Sequence, residues 1–210
     1  MNSSNFINIT TVILLSLVSV SLAGQQYGFA YLKYFNTQNC SSESEYGGSF
    51  QKAGTCVGKM IYDCSGGPDK IGVQKYKDYE CTVPIGKMIY HQTNTCLEHV
   101  INNEYYGYSA SCVDSLLLPQ QSTVNFGFTG NCESPNWKEH IIISNYNLLD
   151  KCVLLPHGSA QYSCNSTDLI TSSYTAYNNN CGGEPERINT TPFSVLNFCS
   201  EINEINFCLD

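Results

Sequence analysis

Twelve cysteines, the first at Cys40 and the last at Cys208, constrain this chain more than any other feature. The count is even, and no two of them lie as close as Cys-x-x-Cys. A structural zinc ion or a dithiol redox centre needs such close thiols, so the pattern argues against metal and cofactor and for six disulfides. The cysteines recur at separations of 16 to 20 residues: Cys40 and Cys56, Cys64 and Cys81, Cys96 and Cys112, Cys132 and Cys152, Cys181 and Cys199. The spacing predicts a bond within each pair, with Cys164 and Cys208 joined by elimination. A register slip would instead link neighbouring pairs, as Cys56 with Cys64, and spacing alone does not choose between connectivities.

Turn chemistry follows the same phase. Aspartate, asparagine, glycine and proline surround the cysteines in Asp63–Pro68, Thr129–Pro135 and Asn178–Pro185, while aromatic residues precede them. The third pair departs, because Cys96 is followed by Leu97, Glu98 and His99. The string Gly-Lys-Met-Ile-Tyr occurs twice, at Gly58–Tyr62 and Gly86–Tyr90, which points to duplication. Tyr27 to Phe35, Ile71 to Tyr79, Val124 to Phe128, Lys138 to Ser144 and Pro192 to Phe198 are rich in aromatic and β-branched residues. Several alternate with the period of two that buries one face of a sheet. No long segment has helical periodicity. The expected fold is all-β: disulfide-rich antiparallel sheets, sandwich or open barrel, built from about five strand–Cys-turn–strand units.

Residues 1–23 read as a signal peptide. The uncharged run Val12 to Ala23 is too short to span a bilayer comfortably, and Ser21 and Ala23 suit a cleavage site before Gly24. Residues 24–210 form the expected cysteine-rich domain, with no later membrane segment. The predicted location is outside the cell, or an endosomal or phagosomal lumen. Sequons at Asn39, Asn165 and Asn189 are candidate glycosylation sites. A net charge of −8 with Arg187 as the only arginine disfavours nucleic acid and anionic lipid as partners.

The signal-like start, the opening Tyr27–Phe35 strand and the turns Cys64–Pro68 and Cys181–Pro185 resemble the secreted cysteine-rich counting factor-associated proteins of social amoebae. The resemblance covers nearly all of the chain beyond residue 23. It implies an extracellular role in cell-number or aggregate-size signalling, and it brings no catalytic residues.

Catalytic patterns are sparse. Tyr46-Gly47-Gly48-Ser49-Phe50 lacks the second glycine of a nucleophile elbow, and His157 beside Ser159 is not a triad. Paired cysteines leave no thiolate nucleophile. Glu98, Glu104, Glu139 and Asp150 read as solvated surface groups, and His91, His99, His140 and His157 as isolated turn or surface residues. Tyrosines and Trp137 fit either a β-core or a sugar-stacking face. The expectation is a non-enzymatic secreted factor that binds another protein. The alternative is a carbohydrate-binding or defence protein acting on microbial or cell-surface glycans.

Overall fold

A computed structural model describes residues 28–101, 104–130, 132–155, 157–175, 180–201 and 203–209. The expected signal peptide lies outside the described residues. Strands β1 (Phe29–Phe35), β2 (Glu45–Lys52), β3 (Met60–Asp63), β4 (Lys70–Tyr76), β5 (Pro84–Gln92), β6 (Leu97–Ile101) and β7 (Glu104–Val113) come first. Then follow β8 (Ser122–Phe128), β9 (Ile141–Leu148), β10 (Cys152–Leu155), β11 (Gly158–Cys164), β12 (Asp168–Tyr174), β13 (Arg187–Pro192) and β14 (Glu204–Leu209). All pairings are antiparallel, in a seven-stranded sheet β14-β8-β9-β2-β1-β7-β6, a four-stranded sheet β10-β11-β12-β13 and a three-stranded sheet β3-β4-β5.

Alternation along β1 divides the interior. Ala30 and Leu32 pack with Tyr62 and Ile71 of the three-stranded sheet. Tyr34 is on their side, in a cluster where Tyr46 and Tyr106 meet Val153 and Leu154 of the four-stranded sheet. The two small sheets thus cover one face of the large one, a sandwich. Phe29 and Tyr31 point to the other face, against Phe50, Val124, Phe126 and Tyr146.

Two expected strands are corrected. Lys138 to Ser144 begins as a 3-10 turn, Trp137–His140, and becomes extended only at Ile141. In Pro192 to Phe198, residues Phe193–Leu196 form a single helical turn, α1, after Pro192. Pro192 is the N-cap of this turn, still extended at φ −64° and ψ 143°, and it is the last residue of β13.

All twelve cysteines are bonded, but five of the six expected pairings are wrong. The bonds are Cys40–Cys96, Cys56–Cys81, Cys64–Cys112, Cys132–Cys199, Cys152–Cys181 and Cys164–Cys208, with Cα separations between 5.5 and 6.5 Å. Only Cys164–Cys208, the pair reached by elimination, is as expected, and none of the five pairs drawn from spacing forms. The physical reason is strand length. Cys40 lies in the hairpin loop before β2 and Cys56 beyond its far end, so the eight residues of β2 separate them by about 26 Å along the strand. A disulfide needs Cα atoms within about 7 Å. Bonds therefore join the loop end of one hairpin to the open end of another.

The connectivity reveals a larger repeat. In the first six cysteines the bonds run first to fifth, second to fourth and third to sixth; the last six repeat that order. Strand pairing repeats with it. The set β2-β1-β7 corresponds to β9-β8-β14, and β3-β4-β5 to β11-β12-β13. Pairing of β2 with β9 joins the two halves into one sheet. Tyr62 and Tyr162 each stand two residues before the third cysteine of their half. The chain is thus two six-cysteine repeats, with β6 and β10 as additions.

Candidate functional site

The residues that sequence singles out for chemistry do not converge. Ser49 is buried, and its hydroxyl lies 3.2 Å from Tyr34 Oη. Ser159 is buried in β11, while His157 is exposed in the turn before it. Glu98, Glu139 and Asp150 are exposed on β6, the 3-10 turn and the β9–β10 turn. The side chains of His99 and Glu104 lie outside the described residues. His91 is half-buried on β5, and His140 ends the 3-10 turn. Among the described residues no three histidine, cysteine or carboxylate groups come together to hold a metal.

The three sequons are accessible to different degrees. Asn39 is exposed, its Oδ1 accepting from Thr37 Oγ1 at 2.7 Å and from the Ser41 amide at 3.3 Å. Asn165 is exposed in the β11–β12 turn and accepts from the amides of Thr167 (2.8 Å) and Asp168 (2.7 Å). Asn189 is half-buried on β13 and accepts from Arg187 Nε at 2.8 Å.

Trp137 is half-buried and packs against the core. Its ring lies 5.6 to 6.3 Å from Phe128, Phe126 and Phe207, and Lys138 Nζ sits 5.5 Å from the ring centre. It borders a 460 Å³ cleft with Glu133, Asn197, Phe198 and the Cys132–Cys199 bond.

The tyrosines also serve the interior. Tyr31 stacks on Phe50 at 4.2 Å, and its hydroxyl meets that of Tyr146 at 3.0 Å. Tyr146 donates to Glu45 Oε1 at 2.9 Å, while Lys33 Nζ bonds Glu45 Oε2 at 3.0 Å. Burial, reinforced by Tyr31 and the Glu45 charge, pushes the Tyr146 phenol far above its ordinary value.

One surface stands apart. Strand β5 is an edge of the three-stranded sheet and is mostly exposed along its length. Ile85 and Ile89 leave more than half of their surface in water, as does Tyr79 (72% exposed) in the preceding loop. Ile89 faces the same way as Tyr62 and Val73 but overhangs the core that buries Tyr62. The Asp78 carboxylate pins the loop by accepting from the amides of Thr82 and Val83, both at 2.8 Å. Those bonds, the Thr82 amide first, lower its pKa below the ordinary carboxylate value. Lys59 Nζ lies 4.4 Å from the Tyr79 ring centre.

Charge sets this ledge off further. Residues 52–92 hold Lys52, Lys59, Lys70, Lys75, Lys77 and Lys87 against Asp63, Asp69, Asp78 and Glu80. This stretch is cationic in a chain of net charge −8. The arrangement is an apolar ledge with ammonium groups around it. Sequence reasoning passed it over, although the lysine clustering was visible there.

The counting factor-associated protein A/B/C family matches residues 5–209. The chain belongs to that family. No curated protein and no solved structure matches it. Family membership spans both six-cysteine repeats, so the duplicated framework lies within the family's own extent. No helix among the described residues is long and apolar enough to cross a membrane.

Proposed function

We propose that this family member is an extracellular, non-catalytic factor that works by binding another protein through the apolar, lysine-edged ledge of β5. The observation that carries the reading is the overhang of Ile85 and Ile89 beyond the core, together with exposed Tyr79. Contiguous apolar surface of this kind, rimmed by charge, is what protein interfaces use. Six disulfides suit an oxidising compartment, in line with the signal-like run at Val12 to Ala23. The family description, which speaks of association with a factor, fits a complex-forming role.

The test compares native secreted protein with an Ile85→Glu/Ile89→Glu variant. Both are fractionated from conditioned medium, and the co-purifying proteins are identified. A protein that travels with the wild type and is lost from the variant supports the reading. Identical fractions, or a glycan array that captures both forms equally and tightly, would replace it with the carbohydrate-binding alternative. Hydrolase turnover lost on a single serine or carboxylate substitution would overturn the non-catalytic part.

A further inference from the structure

The exposed large hydrophobic side chains are not scattered. Of the ten among the described residues, five are Tyr79, Val83, Ile85, Ile89 and Tyr90, on and beside β5. Three more, Ile188, Val195 and Phe198, are on and just after β13. These two strands hold the same place in the two repeats, each the edge next to the middle strand β4 or β12. The two edges are not matched residue for residue: Tyr62 and Val73 stand in line with Ile89, whereas Tyr162 and Thr171 stand in line with Asn189, so Ile188 lies on the opposite face of its sheet.

Their charges are opposite. Lys75, Lys77 and Lys87 are exposed around β5, against Glu80 as the exposed acid there, the Asp78 carboxylate being taken up by the Thr82 and Val83 amides. Glu184, Glu186 and Glu201 are exposed around β13. Arg187, the cation of that second edge, donates to Asn189 Oδ1. We propose that the partner of the β5 ledge is the β13 edge of a second copy of this chain. This rests on the protein-binding reading above and names its partner.

The contact is made by side chains. The β5 backbone edge carries Pro84, a Gly86 bulge with φ 68° and Lys87, all of which discourage addition of a strand. Ile85 and Ile89 would pack on Ile188, with lysines facing glutamates at the rim and Phe198 exposed past the end of β13 as a further apolar contact. Asn189 neighbours Ile188 on an alternating strand, so its side chain points to the other face and leaves Ile188 clear. Because the joined surfaces differ, each copy offers one of each. Association is head to tail, giving an open chain or a ring. Rim ion pairs are screened by salt, so it weakens as ionic strength rises.

The experiment is sedimentation velocity on the purified secreted protein at rising concentration, in low and high salt. Two variants are compared: Ile85→Glu/Ile89→Glu and Ile188→Lys/Phe198→Lys, each with its disulfide map checked. Wild type is expected to grow past the dimer at low salt and to dissociate at high salt. Each variant alone is expected to stay monomeric, and the two mixed to stop at a one-to-one dimer, since one intact edge of each kind remains. A monomeric wild type at every concentration, a mixture that stays monomeric, or a variant that assembles as wild type does would overturn the proposal. A monomeric wild type that still captures a different protein through β5 would overturn self-association alone and leave the protein-binding reading standing.

Discussion

Single side chains in this molecule are held by close backbone approach. Gly48 on β2 lies between the Leu32 carbonyl oxygen of β1, which an added Cβ would meet first, and Tyr146, where that Cβ would come 2.6 Å from Oη and 2.7 Å from Cε1 of the ring. Tyr146 is fully buried and cannot swing aside without breaking its bond to Glu45. Gly48→Ala should therefore cost about 3 kcal/mol or more as overpacking against a backbone oxygen and a fixed ring, read from the urea midpoint. Gly54→Ala is the control: nothing lies within 4 Å, and only its φ of +72° is strained, about 1–2 kcal/mol. An equal or smaller loss at Gly48 would mean that Leu32 and Tyr146 give way and that the packing around Gly48 is loose. Alternating tyrosines were legible in the sequence as core fillers, but the glycine beneath one of them was not, because the contact is between strands far apart in the chain. The same burial has a pH consequence. Tyr34, Tyr62 and Tyr146 have phenols raised above the ordinary value, burial being the largest cause for each. A phenol with a raised folded pKa contributes stability that is full below its unfolded value of about 10 and is lost as pH rises toward the folded one. Stability should hold to about pH 10 and then fall. In ultraviolet titration these phenolates should appear only together with loss of near-ultraviolet circular dichroism. Ionisation of all fifteen tyrosines with the dichroism intact would refute this.

At the scale of elements, the duplicated pentapeptide shows how register decides the fate of identical residues. Gly58 and Lys59 both have positive φ (56° and 68°) and form a tight turn closed by the Val57–Met60 pair, which delivers Tyr62 opposite Val73. In the second copy Gly86 has positive φ within a bulge, and Tyr90 arrives opposite Gly72. The one-residue offset on β4 sends the two tyrosines to opposite faces. Tyr62 is 6% exposed in the core, whereas Tyr90 is 52% exposed and lies over Gly72 to donate to Asp63 at 3.0 Å. Tyr62→Ala should cost about 3–5 kcal/mol and Tyr90→Ala within about 1 kcal/mol, both from chemical denaturation. Similar losses at the two sites would refute the register. Strands β1, β4 and β8 were legible in the sequence because each has alternation and a punctuating turn. Strand β5 was not, because its apolar residues overhang the core on an edge and leave no half-buried pattern. The candidate site was hidden for the same reason.

At the scale of the whole molecule, the recurring cysteine separation reports the length of a strand plus its turn, not the reach of a bond. That is why composition and spacing revealed a disulfide-framed β-protein but not its connectivity. Cys40–Cys96 encloses Cys56–Cys81, and Cys64–Cys112 crosses both; Cys132–Cys199, Cys152–Cys181 and Cys164–Cys208 repeat the arrangement. No bond passes between the halves, so the junction at β2 and β9 depends on strand pairing and packed side chains. Peptide mapping without reduction should return these six pairs and none between residues 40–112 and 132–208. Peptides linking Cys40 with Cys56 or Cys132 with Cys152 would refute the two-repeat framework. The crossing bond matters most to the first repeat, because Cys64 is 3% exposed and ties the three-stranded sheet to β7 across a separation of 48 residues. Replacing Cys64 and Cys112 together by alanine should cost about 4 kcal/mol in the chain-entropy account. The loss should fall mainly on the sheet that carries the β5 ledge. Hydrogen exchange on this double variant should show β3, β4 and β5 opening while β11, β12 and β13 keep their protection. Uniform loss across both small sheets would show instead that the repeats unfold as one unit.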